Sequence, residues 1–185
     1  TFNTQFSEFG DGLLKGKAID DRAGCGILID LLKNEAYPYD IVACFTVQEE
    51  VGCRGAMVAA NSLKPDIAIV VECTICADVA GAKPHQEVTS LGGGGALTIM
   101  DQGTYANKEL TKELYDYGKK HSIPVQLKRS TKGGNDAKSI HQSEVGVVCA
   151  AIAMPCRYLH SPVSIISKAD YFAVYNLLDG YLKDM

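Results

Sequence analysis

Two glutamates stand side by side in DIVACFTVQEEVGCRGA (residues 40–56), where an apolar run, Ile41 to Val47, gives way to Glu49, Glu50 and Gly52. Adjacent like charges repel and gain nothing structurally from being neighbours. Two further acids share the context. Asp20 opens DDRAGCGILIDLLKN (20–34), and Glu72 follows the apolar stretch of DIAIVVEC (66–73). A carboxylate near the end of a buried strand is costly to desolvate without a partner. Taken singly, each acid fits a capped turn, or an ion pair with Arg22 or Arg54, better than a site. Three such positions at one sheet edge reverse that weighting, because hard oxygen ligands from separate strands are how a divalent metal site is assembled. His160, in CRYLHSP, follows another apolar run (145–154) and arrives at the same edge. Zinc sites commonly combine His with carboxylates.

The adjacent pair then has a division of labour. Successive residues of an extended segment point to opposite sides. If one glutamate faces a metal, its neighbour faces elsewhere, for example toward water activated there. A carboxylate so placed can take a proton from that water and pass it to a leaving amine. Of the other histidines, His121 ends a helix as a dipole partner, His141 follows GGNDAKSI near the site, and His85 lies in a loop without a role.

The elements that must carry these residues alternate. Helices are expected at 20–34, 54–63, 107–121, 134–142 and 167–183, the last capped by Ser167. Strands are expected at 40–47, 66–73, 96–101, 124–129 and 145–154. Several of these are continuously apolar, as strands buried on both faces are. The expectation is an α/β fold, a mostly parallel sheet flanked by helices on both faces, with its site at the carboxyl ends of the strands.

Bulk composition narrows the class. The 185 residues are enough for one domain with a substantial core, and 46% apolar with 22% charged residues is ordinary globular usage. A net charge of −4 argues against a nucleic-acid partner. The basic residues Lys119, Lys120, Lys128, Arg129 and Lys132 have acids nearby and read as a solvated face. Seven cysteines, mostly in apolar runs, favour a reducing, cytoplasmic setting over a disulfide scaffold. Cys73 and Cys76 form a lone C-x-x-C, which without a second pair does not make a structural zinc site. No run is long enough to span a bilayer, so no membrane partner is expected. The chain begins with Thr1, and residues 1–16 read as a polar entry segment, so that the sequence is expected to start mid-protein.

Four motifs, KAIDDRAG (17–24), QEEVGCRGA (48–56), GGNDA (133–137) and RYLHSP (157–162), occur in that order. Together they resemble the glutamyl or deblocking aminopeptidases, dinuclear metallo-aminopeptidases that form tetrahedral shells, some of them labelled cellulases or endoglucanases. The resemblance runs from about Lys17 to the C-terminus. It implies that Asp20 bridges two divalent ions, zinc or cobalt, and that Glu49 is the general base. Glu50 and His160 would complete one ion's ligands and Glu72 would bind the other, at a position where the family more often has Asp. It also implies that Gly133, Gly134 and Asp136 line the substrate pocket and that the full-length protein is a homo-oligomer, a dodecamer in the family. The family's second ion takes a His from a His-x-Asp motif, which does not precede Asp20 here. The family also inserts a β-rich dimerisation domain before the DDR segment. Residues 1–16 are therefore expected to be the exit from that insert, and 17–185 the C-terminal part of a catalytic domain. On this reading the second metal site is incomplete in this chain, which alone should bind one ion well and a second weakly, with little or no peptidase activity on peptides.

Three rivals remain. A deacylase or carboxypeptidase of the acetylornithine deacetylase type also uses paired glutamates and a late His, but places its extra domain between the third acid and that His. Here strands and helices fill the span from Glu72 to His160. A non-catalytic binding or assembly module on the same fold is the second rival. A glycosidase is the third, disfavoured because adjacent glutamates on an extended segment diverge and the chain has no Trp. LGGGG (91–95) lacks the Lys and Ser or Thr of a phosphate loop and fits a close backbone approach or a substrate-side loop.

Overall fold

A computed structural model describes residues 2–33 and 37–185. Its elements in chain order are β1 (Ser7–Phe9), β2 (Leu13–Gly16), α1 (Ile19–Leu32), α2 (Arg54–Leu63), β3 (Ile67–Ile75), β4 (Gly95–Leu97), α3 (Lys108–Lys120), β5 (Val125–Leu127), α4 (Ala137–Ile140), β6 (Val148–Arg157), β7 (Ser164–Ser167) and α5 (Lys168–Asp184). The sheet runs β1-β2-β7-β6-β4-β5, with β3 on the other edge of β6. The expected α/β architecture is present, and its pairing is mixed. β3–β6 and β4–β5 are parallel, while β1–β2, β2–β7, β4–β6 and β6–β7 are antiparallel. Strand β6 is the spine. Its whole length pairs with β3, from Ile67 opposite Val148 to Ile75 opposite Cys156.

The pleat of β6 sorts the core. Ala150, Ile152, Met154 and Cys156 face one side and join Ile27 of α1, Leu114 of α3 and Val174, Leu177 and Leu178 of α5 in the main apolar cluster. Cys149, Ala151 and Ala153 alternate with them and are equally buried but small. That second face carries α4, which packs on β3, β6 and α2. Bulk on one face and small residues on the other let the second face take loops that reach the sheet closely.

Helix ends follow local chemistry. Asn107 caps α3, its side chain accepting from Leu110 N at 2.9 Å, and Ser167 caps α5 by accepting from Ala169 N at 3.2 Å. At the start of α1 the side chain that closes the first turn is that of Asp21. Asp20 and Asp21 have non-helical backbone angles, their peptide bond is cis, and Asp21 Oδ1 accepts from Gly24 N at 2.9 Å. A Cβ at Gly24 would stand 2.3 Å from Asp21 Oδ2, so glycine there is what permits the cap. Asp20 is left free to turn elsewhere. The last residue of the helix expected at 20–34 lies outside the described residues.

Two segments depart from expectation. Residues 7–16, read as a polar entry segment, form a hairpin that continues the sheet through β2–β7 pairing. The strand expected at 40–47 is not formed. Among the described residues it has no ladder partner, and Val42 and Val47 are 64% and 65% exposed. An apolar extended sequence alone does not make a strand; it needs an edge to pair with. The LGGGG stretch is an anchor. Buried Asp170 at the start of α5 accepts from Gly92 N and Gly94 N, each at 2.7 Å. At Gly94, with φ of +83°, a Cβ would meet Pro124 O at 2.0 Å. The close backbone approach is thus the correct reading of this loop.

Candidate metal centre

The residues read from the sequence arrive from four directions. Asp20 comes from the entry to α1, Glu49 and Glu50 from the turn before α2, Glu72 from β3, and His160 from the loop after β6. His160 Nε2 lies 3.3 Å from Glu50 Oε1 and 3.6 Å from Asp20 Oδ2. The three side chains present ligand atoms all within 4.8 Å of one another. Asp20 also accepts a hydrogen bond from Cys73 N at 3.3 Å, which ties it to β3. Asp20 is largely covered, whereas Glu50 and His160 face solvent, so the cluster is open on one side.

Glu49 points away from the trio, toward Cys53, whose Sγ is 3.7 Å from its Oε1. The adjacent glutamates lie in a turn rather than on the extended backbone expected, with Gly52 N and Cys53 N bonded to Glu49 O, and their carboxylates meet different partners. Burial raises the Glu49 carboxyl above its ordinary value, and Glu50, Asp136 and Asp20 raise it further. Burial also raises Asp20, partly offset by the Cys73 N–H. Asp21 is pushed up to about 8 by burial, against the opposing Gly24 N–H, with Asp20 adding to the rise. Several carboxylates each made less acidic by burial and by one another form a field that a cation relieves.

Glu72 is brought to the same cleft but not into the trio. Its Oε1 accepts from Asn135 Nδ2 at 3.1 Å. Burial drives its carboxyl well up, and the Lys128 ammonium is the largest opposing influence. Lys128 thus leaves the solvated face on which the sequence placed it and lines the cleft. Gly133, Gly134 and Asp136 line it too. Asp136 is 7% exposed; its Oδ2 accepts from the Thr46 hydroxyl, while Oδ1 has no partner among the described residues.

Asn135 was missed. It is 1% exposed, its amide nitrogen reaches Glu72 and, at 3.4 Å, Asp101 Oδ2, and its oxygen accepts from Ala137 N at 2.9 Å. The signal available was a polar side chain set between two glycines and an acid in GGNDA. His141 caps α4 through its Nδ1 to Ala137 O, and His121 stacks on Tyr117 at 4.1 Å; neither belongs to the site. All seven cysteines are free, and Cys73 and Cys76 are buried.

The donor set of Asp20, Glu50 and His160, one imidazole nitrogen with two carboxylates, fits zinc or cobalt better than calcium, which takes six or more oxygens. Two other groups reach similar spacing, Asp20–Asp21–Cys73 and Glu49–Cys53–Asp136. Each would need a thiol ionised against its surroundings. Cys53 is pushed up to about 12 by burial, with Glu49 adding, and Cys73 is raised as well. The first trio needs no such ionisation.

A relative from Acetivibrio thermocellus is 39% identical over 175 residues, covering 91% of this chain and 52% of that protein. An aminopeptidase from the archaeon Desulfurococcus kamchatkensis superposes with a TM-score of 0.96 at 32% identity, covering all of this chain and 53% of its own. The TET1 peptidase of Pyrococcus horikoshii, which can assemble into a tetrahedron or a large octahedral shell, superposes at 0.88 with 26% identity, over 100% of this chain and 54% of its own. The chain spans about half the length of the curated relatives it matches. Residues 1–177 match the family described as M42 glutamyl aminopeptidase, and the chain belongs to that family.

Proposed function

We propose that this chain carries the carboxylate and histidine side of a metal-dependent aminopeptidase centre. The observation that carries the reading is the convergence of Asp20, Glu50 and His160, with ligand atoms within 4.8 Å, beside a divergent Glu49. Asp20, Glu50 and His160 would hold one zinc or cobalt ion, and Asp20 with Glu72 would contribute to a second. A divalent ion held there supplies Lewis-acid polarisation of a peptide carbonyl and lowers the pKa of water. Glu49 accepts a proton from water at a carboxylate oxygen and returns it to the departing amine. Its raised pKa moves it toward the range in which both transfers run at neutral pH. The carboxylates gathered at the cleft would draw the α-ammonium of a peptide's first residue, and so favour removal of N-terminal residues. Gly133, Gly134 and Asp136 form the wall against which that residue lies.

Only Asp20 and Glu72 serve the second ion, so the chain by itself should bind one ion tightly and another weakly, with poor turnover. Whole proteins of this family at twice the length would complete the site and assemble as homo-oligomers, as the Pyrococcus horikoshii relative does. Seven free cysteines suit a reducing cytoplasm. Isothermal titration with zinc should give one tight site per chain. Any hydrolysis of aminoacyl p-nitroanilides should stop with a chelator and return with zinc or cobalt. Turnover that survives chelation, or failure to bind zinc, refutes the reading.

A further inference from the structure

A second cluster of donor atoms lies apart from the trio Asp20, Glu50 and His160. Glu49, Cys53 and Asp136 each present one ligand atom, and the three atoms lie within 4.8 Å of one another. Cys53 and Asp136 are 5% and 7% exposed, Glu49 is more accessible, and all three line the cleft. The cluster holds more acceptors than donors. The Cys53 S–H has one proton, and its sulfur stands 3.7 Å from Glu49 Oε1 and 3.3 Å from Asn135 O, with the Asp136 carboxylate also beside it. Asp136 Oδ2 accepts from the Thr46 hydroxyl, but its buried Oδ1 has no donor among the described residues. A buried carboxylate oxygen without a donor calls for a partner that these side chains do not supply. The frame is fixed on both sides. Cys53 N bonds Glu49 O and Gly55 N bonds Val47 O, each at 2.9 Å, and Asp136 is tied to Thr46.

We propose that Glu49, Cys53 and Asp136 form a separate cation site for a thiophilic divalent ion, cadmium or zinc in excess, and that an ion held there blocks Glu49. One thiolate and two carboxylates, with water in the fourth position, make a sulfur-and-oxygen set that such ions take in tetrahedral geometry. Harder ions such as magnesium and calcium gain nothing from the sulfur. On binding, the S–H bond breaks, a sulfur–metal bond forms and the proton leaves to solvent, with nothing oxidised or reduced. The need to expel that proton sets the order of filling, so the sulfur-free trio fills first. The ion puts two positive charges between two carboxylates and gives Asp136 the partner it lacks. Cys53 also stands at the N-terminus of the ten-residue helix α2, where its side chain makes no capping bond, and the positive end of the helix favours the thiolate that ligation leaves. An ion on Glu49 occupies the carboxylate that would accept a proton from water, which makes the site inhibitory. Binding does not depend on the catalytic reading; the inhibition rests on it.

Cadmium alone is the probe. The trio contains no sulfur, so the ultraviolet charge-transfer band between thiolate and cadmium reports only on a thiol site. The chain should carry Cys44→Ser, which removes its exposed thiol, and be given one equivalent of zinc first. Titration with cadmium should then raise the band to the intensity of a single sulfur ligand. Adding Cys53→Ser should abolish the band and leave the circular dichroism unchanged. Asp136→Asn retains the thiol and should move the midpoint to at least ~10-fold higher cadmium. No band in the parent, a band that survives Cys53→Ser, or an unmoved midpoint in Asp136→Asn overturns the proposal. So does loss of the band in Cys73→Ser, which would assign it to Asp20, Asp21 and Cys73. Any anilide hydrolysis by the zinc-loaded chain should fall as the band grows. Relative to its own cadmium-free rate, Cys53→Ser should withstand at least ~10-fold more cadmium. A band that grows without loss of hydrolysis supports the site but overturns its inhibitory role and counts against Glu49 as the base; hydrolysis lost without a band overturns the site and leaves the catalytic reading standing.

Discussion

The division of labour between Glu49 and Glu50 gives a prediction whose size follows from the structure. Glu50 and His160 side chains are 63% and 61% exposed, so Glu50→Gln and His160→Ala remove little packing and act almost wholly on ligation. Saturating the native state with zinc at 100 times its dissociation constant adds about 2.7 kcal/mol. For a chain of this length that is a rise in Tm of about 5–11 °C. Removing a direct ligand should cost at least the ~10–100-fold in affinity typical of an outer-shell partner. At the 100-fold end the same zinc concentration then only equals the dissociation constant, leaving about 0.4 kcal/mol and a shift of ~1 °C. Glu49 touches Cys53 rather than the trio, so Glu49→Gln should keep the full zinc shift and lose any anilide hydrolysis. Scanning fluorimetry of the three variants with and without zinc reads this directly. Without zinc, Glu50→Gln should melt slightly higher than the parent, because a carboxylate that raises its neighbours has gone. Equal loss of the zinc shift in Glu49→Gln and Glu50→Gln would refute the assignment.

Asn135→Ala strips Glu72 of its hydrogen-bond donor and should cost about 1–3 kcal/mol of stability in urea denaturation. It should also weaken binding of a second zinc by ~10–100-fold while sparing the first, measured by titration. Asp170 is pushed up to about 6 by burial, so the folded chain binds its proton more tightly than the unfolded one. Its contribution is fully present below pH 4 and is lost as pH rises through 6. Relative to Asp170→Asn, the parent should gain up to ~3 kcal/mol on acidification across that window, read from melts at several pH values. Exposed Cys44 should react with a thiol reagent within the mixing time, whereas Cys73, Cys76 and Cys149 should wait for unfolding.

How much of this was legible in the sequence depends on the kind of residue. The helices with strong caps and periodicity, α3 with Asn107 and α5 with Ser167, sit where the sequence puts them, because capping and apolar spacing are local. The long buried strands β3 and β6 are equally plain, since continuous apolar runs need burial on both faces. What failed was non-local. Residues 40–47 have the composition of a strand and no edge to join, and the hairpin at 7–16 has polar residues that pair because β7 offers an edge. The candidate ligands Asp20, Glu50 and His160 were singled out, and lie together, because carboxylates and a late His at sheet ends are chemically conspicuous. Asn135 was not, because a neutral amide is common in loops, and only contact with Glu72 and Asp101 reveals its burial. Lys128 was misplaced for the same reason: charge runs look alike until a buried carboxylate claims one member.

Backbone strain gathers around the centre. Nine non-glycine residues among those described have positive φ, and five of them, Ala18, Gln48, Cys53, Tyr158 and His160, flank the candidate ligands. Left-handed conformations at such residues cost of order 1–3 kcal/mol each and persist when the surroundings over-determine them. They lie in the turns that lead into α1 and α2 and out of β6, at or beside the candidate ligands. Gln48→Gly should therefore stabilise the metal-free chain by about 1 kcal/mol, since glycine adopts φ near +60° freely. Lys64→Gly, at the left-handed cap of α2 away from the ligands, should do the same. The two should part company in zinc binding. Freed at residue 48, the glutamate pair is less firmly aimed and affinity should fall, whereas at residue 64 it should not move. If both variants bind zinc as the parent does, the strain at Gln48 belongs to the turn alone and has no part in presenting Glu50.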